Sequence, residues 1–331
     1  DFDVELARFG HGRQRSYLLA LLQELAGESD TEGPRLILGC EEPELYQHPP
    51  QARHLADVLE KLSHKNSQVM ISTHSPIFVS GERFENVRMV RMDQSKKSSG
   101  VIHVSYDELT EAINKVTDET PIKPEGLLAK VHQSLQPSLN EMFFTDRLIL
   151  VEGLEDIAYI TTYLVLLDKW EEYRKARCHI VPANGKSEIL RPLVIASKMK
   201  IPVFVIFDSD TDKLEKLDKS GHRAKHEKDN KAILQFMGYG SDDPFPKETL
   251  WKDNLVLWNS DIGKIVEEEI GKDEWQKFRS KADCQYGQIG DLKKNTLHIG
   301  ASLTYAWEAE KKSPSLEKLC DKILVFGSIS K

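Results

Sequence analysis

The sequence is poor in cysteine, and none of its four thiols is placed for metal or redox chemistry. Cys40, Cys178, Cys284 and Cys320 are scattered without a CxxC pair, which gives neither a zinc site nor a disulfide framework and fits a reducing cytoplasm. No apolar run approaches the roughly 18 residues needed to span a bilayer. With 30% charged residues and a mean hydropathy of -0.45, no segment reads as a membrane span. Positive charge is in deficit too. The 45 Lys and Arg against 53 Asp and Glu leave a net charge of -8, which argues against adhesion to nucleic acid over the whole surface and leaves room for a local basic track. No zinc finger, RNA-recognition sequence or aromatic stacking motif is visible, so sequence-specific readout is unsupported. Any GxxxxGK[ST] phosphate loop is also missing. The chain opens on Asp1 without Met and without a signal-peptide core, and it reads as a trimmed piece of a longer protein.

What is present is enough for about two domains: 331 residues, 40% of them hydrophobic, can supply two cores. Two groups of alternating strand and helix patterns are divided by the stretch around Val116 to Pro124 and by a helical connector from about Glu125 to Met142. The expected organisation is a first α/β domain over residues 1–120, a connector over 121–145 and a second α/β domain over 146–331. The second should carry a mostly parallel sheet with helices on both faces.

The first group holds three signals of nucleotide chemistry. Residues 35–44 read RLILGCEEPE, an apolar strand ending in carboxylates; a strand of this kind can place Glu41 near a Mg²⁺ ion and Glu42 near an attacking water, in the manner of Walker B. SQVMISTHSP forms a second apolar strand ending in His74, whose imidazole could reach a γ-phosphate from the carboxyl end of a parallel strand. Upstream, FGHGRQRS sets Gly10 and Gly12 before an amphipathic helix around Gln14 to Glu24, where free backbone N–H groups can face phosphate. Singly, an acidic pair at a strand end is equally a solvated turn, and a lone histidine there is more often structural. Without the phosphate loop, no ATPase activity is assigned to this chain.

The second group carries carboxylates at strand ends. RLILVEG delivers Glu152 at the end of a short apolar strand, and Gly153 allows a tight turn into a helix containing Asp156. PVFVIFDSDTD is a continuous apolar strand, the mark of burial on both faces, ending in Asp208 and Asp210. Alternation along an extended DSD would put both carboxylates on one side. Carboxylates gathered in this way repel one another at neutral pH and call for hard divalent cations, Mg²⁺ or Mn²⁺. After NLVLW come Asp261 and a helix with Glu267, Glu268 and Glu269, acids that also suit a helix N-terminus or a solvated face. Residues 213–231 mix lysines, arginines, His222 and His226 with acids, a solvated charged face or at best a phosphate rail.

The order of glycine-led helix, EEPE strand with His48 and Pro49 following, and STHSP resembles the C-terminal lobe of ABC-type ATPases, in particular that of the overcoming-lysogenization-defect (OLD) family. The series Glu152, Gly185 within HIVPANGKSEI, Asp208 and Asp210 resembles the Toprim fold of topoisomerases, primases and OLD-type nucleases, over about Arg147 to Glu268. The resemblance implies a partial ABC-type lobe joined to a Rossmann-like Toprim domain that cuts or nicks DNA by two-metal phosphodiester hydrolysis. Two Mg²⁺ or Mn²⁺ ions would bind per site, one on Glu152 with Asp208 and the second supported by Asp156, Asp210 or Asp261, with Glu267 a further ligand. Lys312 in AWEAEKKSPSLEKL, or else Lys311, would oppose transition-state charge. ATP would be used only by the longer parent protein, which would assemble as a homo-oligomer; this stretch could remain monomeric. The rival readings are a regulatory ABC lobe that cleaves nothing, and a topoisomerase or primase. For the latter no tyrosine-nucleophile or template-binding module is recognisable.

Overall fold

The computed structural model describes residues 9–10, 12–14, 16–17, 20–21, 24, 36–64, 67–93, 97–117, 121–240, 242–287, 292 and 294–328. The chain divides into two compact units, Asp1–Ser80 and Gly81–Lys331, a division earlier than residue 120.

In the first unit, β1 (Leu36–Glu41) and β2 (Ser67–Ser72) pair in parallel, with Glu41 opposite Ser72. Between them runs α1 (Pro49–Ser63), which starts on proline, a residue whose missing N–H costs nothing at a first helical position. Its Leu55, Val58, Leu59 and Leu62 follow helical spacing and pack on Leu38, Cys40, Val69 and Ile71 of the strands. The intervening strand residues Ile37 and Met70 are exposed.

The second unit opens with a hairpin, β3 (Met89–Asp93) and β4 (Ser98–Ile102), followed by α2 (Tyr106–Asn114) and α3 (Pro124–Ser134). Hydrogen bonds tie these elements to the rest of the unit. The Arg91 guanidinium donates to the Thr145 carbonyl at 3.1 Å, and Arg191 Nε donates to Ser134 Oγ at 3.2 Å. The Tyr106 hydroxyl donates to the Gly81 carbonyl, which fixes the start of the unit. Packing therefore assigns residues 81–145 to this unit.

Its centre is a five-stranded sheet of β5 (Arg147–Val151), β6 (Cys178–Pro182), β7 (Val203–Asp208), β8 (Leu250–Trp251) and β9 (Leu255–Trp258), in the order β6-β5-β7-β9-β8. All neighbours are parallel except the β8 edge. The crossovers include α4 (Leu154–Leu166), α5 (Leu190–Lys198) and α6 (Arg223–Phe236). After the sheet come α7 (Ile262–Ile270), α8 (Lys272–Tyr286), α9 (Thr296–Glu308) and α10 (Pro314–Ser328). Side chains alternate across a strand, and here both sets are covered. Ile149, Val151, Phe204, Ile206, Val256 and Trp258 join the core beneath α4, α9 and α10, while Leu148, Leu150, Val205, Phe207 and Leu257 are equally buried on the opposite face. The result is an α/β unit whose strand ends, buried up to the last residue, present their carboxylates at one edge. No helix among the described residues is long and apolar enough to cross a membrane.

Candidate metal centre

Three parallel strands end side by side at that edge. β5 hands the chain to Glu152, β7 ends on Asp208, and β9 ends on Trp258, which lies opposite Asp208 in register and leads to Asp261. The turn after β6 closes from the far side: the Gly185 N–H donates to the Glu152 carbonyl at 2.8 Å. Gly185 has φ 124° and ψ 153°, a region essentially open to glycine alone. Asp156, in the first turn of α4, accepts from the Gly153 N–H at 2.8 Å and is 5% exposed. Asp261 caps α7, accepting from the Lys264 N–H at 2.9 Å.

The Asp208 to Asp210 segment departs from the extended geometry expected of the sequence. Ser209 continues the ladder with an N–H to the Trp258 carbonyl at 2.7 Å, but Asp210 is left-handed, φ 61°. That turn sends its carboxylate among two ammonium groups and an imidazole. The nearly buried Lys186 donates to Oδ2, His226 Nδ1 lies 2.9 Å from the same oxygen, and Lys213 donates to Oδ1 at 2.9 Å. Lys213 also stands 3.4 Å from Asp261 Oδ2. Sequence reasoning misses Lys186; its signal is a lysine following the glycine turn that faces the DSD.

The electrostatics separate two kinds of carboxylate. Burial is the main force raising the Asp208 carboxyl well above the usual range, and the charges of Asp156 and Glu152 add to it. Burial likewise raises Glu152, opposed by the Lys186 ammonium. Asp156 is pushed up to about 7, again chiefly by burial. Asp210 goes the other way: burial disfavours its charge, but Lys186 and Lys213 outweigh that and bring it down to about 2. Among the described residues, no three His, Cys, Asp or Glu side chains are gathered closely enough to cage an ion by themselves. At this edge Glu152 Oε2 and Asp208 Oδ1 are nevertheless buried with no hydrogen-bond partner, as is Glu44 Oε2 in the first unit. Unmatched anionic oxygens in a buried setting fit a hard divalent cation, and Mg²⁺ takes one or two protein carboxylates while keeping waters or phosphate oxygens as its other ligands.

Other sequence-selected residues stand on other elements. Glu267 is six residues along α7 from its capping Asp261, about 9 Å along the axis at 1.5 Å per residue. Lys312 rests over the Trp307 ring, 4.3 Å from its centroid. Its loop is anchored by Glu269, whose carboxylate accepts from the Ser313 and Ser315 hydroxyls, and by the Tyr163 hydroxyl, which accepts from the Ser313 N–H. In the first unit Glu41 ends β1, and His74 Nε2 stands 3.5 Å from Glu42 Oε1. Glu44 accepts from the Thr73 hydroxyl at 2.6 Å and the His74 N–H at 3.2 Å. Gly10 and Gly12 flank the start of a helical stretch, with the Gln47 amide donating to the Gly12 carbonyl at 3.1 Å.

Comparison with known proteins gives two separate matches. Residues 1–79 match the AAA ATPase domain, and residues 143–210 match the Overcoming lysogenization defect protein-like TOPRIM domain. The chain is 29% identical to the OLD nuclease of Thermus scotoductus over 227 residues, 67% of this chain and 39% of that protein. It is 28% identical to the Old nuclease of Escherichia phage P2, over 62% of this chain and 34% of that protein. With the endonuclease GajA of Bacillus cereus it shares 25% identity, over 70% of this chain and 35% of that protein. The chain thus spans little more than a third of the length of each of these relatives.

Proposed function

We propose that this chain, in which an AAA ATPase-type segment is joined to an OLD-like TOPRIM domain, is the nuclease-bearing part of a metal-dependent DNA endonuclease. The observation that carries this reading is the pair of buried, unpartnered oxygens on Glu152 and Asp208 at adjacent strand ends. Glu152 and Asp208 would hold one Mg²⁺ or Mn²⁺, and Asp156, Asp210 and Asp261 are the candidates to support a second. Bound there, the ions would supply charge stabilisation at phosphorus and a water of lowered pKa.

The chain's own residues prepare that chemistry. Burial keeps bulk water from Glu152 Oε2 and Asp208 Oδ1 and disfavours their charge, so that a cation would be drawn there to neutralise it. Asp156 fixes the Gly153 turn next to Glu152. Lys312, on a loop held by Glu269 and Tyr163, is the positive charge proposed to act as the leaving oxygen develops. ATP is proposed to act only in a longer parent protein that supplies a phosphate loop, and that protein is proposed to be a homo-oligomer.

The test is incubation of supercoiled plasmid with the purified chain in Mg²⁺, Mn²⁺, Ca²⁺ or EDTA. Nicked or linear product in Mg²⁺ or Mn²⁺ and none in EDTA is expected. Cutting that persists undiminished in folded Glu152→Ala and Asp208→Ala proteins would overturn the assignment.

A further inference from the structure

The carboxylates at this edge are not equally available to a cation. Glu152 Oε2 and Asp208 Oδ1 have no partner, whereas both oxygens of Asp210 and one of Asp261 already face ammonium or imidazole nitrogen. We infer that Lys213 is a resident cation in the second ion's place, its ammonium spanning Asp210 Oδ1 at 2.9 Å and Asp261 Oδ2 at 3.4 Å, so that the two ions load in order and unequally. The inference rests on the metal centre proposed above.

Lys213 differs from its neighbour in freedom. The Lys186 side chain is 5% exposed and locked on Asp210, whereas that of Lys213 is 38% exposed at the mouth of the site. A divalent ion bridging Asp210 and Asp261 would meet the Lys213 ammonium at the same oxygens. Like charges a few ångströms apart cost several kcal/mol even at an effective dielectric of about 20, so one must leave. Of the two lysines, Lys213 is the one with solvent to move into. A polyanion arriving at the mouth offers its ammonium a replacement partner, and the second ion then enters as the DNA backbone does. Lys264, paired with Asp212 at 3.0 Å, holds the same turn from outside and leaves Asp210 to the other three groups.

Calorimetric titration of Mn²⁺ alone into the DNA-free chain, with electron paramagnetic resonance to detect neighbouring ions, tests this. The wild-type chain should take one ion tightly and a second at least about tenfold more weakly. Lys213→Met should bring the second affinity close to the first and give a spin-coupled signal, while Lys213→Arg, which keeps the cation, should behave as wild type. Circular dichroism checks the fold, and Lys213→Gln serves if the Met variant fails to fold. Two equal ions in the wild type, or a second affinity unchanged in Lys213→Met, would overturn the inference and leave the metal centre standing. A folded wild type that binds no Mn²⁺ would overturn both.

Discussion

Asp156 sets the sign of the pH response before any ion binds. Its carboxyl, 5% exposed, is pushed up to about 7, so the folded state favours the protonated form. The stability this contributes is present below the ordinary carboxylate range, near 4, and is lost as the pH rises through 7. In EDTA the protein should melt lower at about pH 8 than at about pH 5. Asp156→Asn keeps an oxygen for the Gly153 N–H and should remove part of that difference, Glu152 and Asp208 supplying the rest. A variant with the wild-type pH slope in thermal melts would count against Asp156. Cleavage divides the same residues by role: Glu152→Ala and Asp208→Ala should abolish it, whereas Lys312→Ala should slow it about a hundredfold to a thousandfold with Mn²⁺ binding intact. Plasmid assays beside Mn²⁺ titration read the two defects separately. The strand-end places of Glu152 and Asp208 are legible in the sequence because each follows an unbroken apolar run, and Asp156 follows from the glycine turn into the next helix. The setting of Asp210 is not, since two of its three nitrogen neighbours, Lys186 and His226, come from 24 and 16 residues away in the chain.

At the level of elements, the turn after β6 and the loop before α10 carry the residues of the proposed chemistry. Gly185→Ala puts a Cβ where φ is 124°, a strain of about 1–3 kcal/mol, and it pulls on the N–H that holds the Glu152 carbonyl. A lower melting temperature together with weaker Mn²⁺ binding is expected. Normal binding in a destabilised protein would show the turn to be structural only. Glu269→Ala removes the acceptor for Ser313 and Ser315 and should slow cleavage while leaving Mn²⁺ affinity alone; unchanged turnover would detach that anchor from Lys312. The β5 and β7 strands and the Gly185 turn are readable because their patterns are local. Glu269 is hidden within the run Glu267 to Glu269, where nothing local tells an anchor from a solvated acid; its partners lie 44 and 46 positions along the chain.

On the scale of the whole molecule, all the carboxylates and cations of the proposed centre come from residues between 152 and 312, within the unit Gly81–Lys331. A protein trimmed to residues 81–331 should therefore fold and bind Mn²⁺ like the full chain. Loss of binding in a folded trimmed protein would show that the first unit contributes to the site. The full chain should show no steady ATP turnover, because Glu42 and His74 have no positioned γ-phosphate to act on; turnover abolished by Glu42→Gln would refute this. The sequence marks a boundary near 120 by its polar stretch, but tertiary ties such as Arg91 to Thr145 decide where one unit begins, and no local pattern records them.

The last helix of the described chain carries a consequence for how the protein is made. Phe326 of α10 packs edge-on against Phe204 of β7 at 5.6 Å, and its carbonyl receives the Arg147 guanidinium of β5 at 3.1 Å. Leu316, Leu319, Cys320 and Ile323 are fully enclosed with the central strands. During translation, β5 and β7 emerge long before the residues that cover them. The proposed site of Glu152 and Asp208 therefore rests on a sheet whose core is complete only once α10 has been made and has packed.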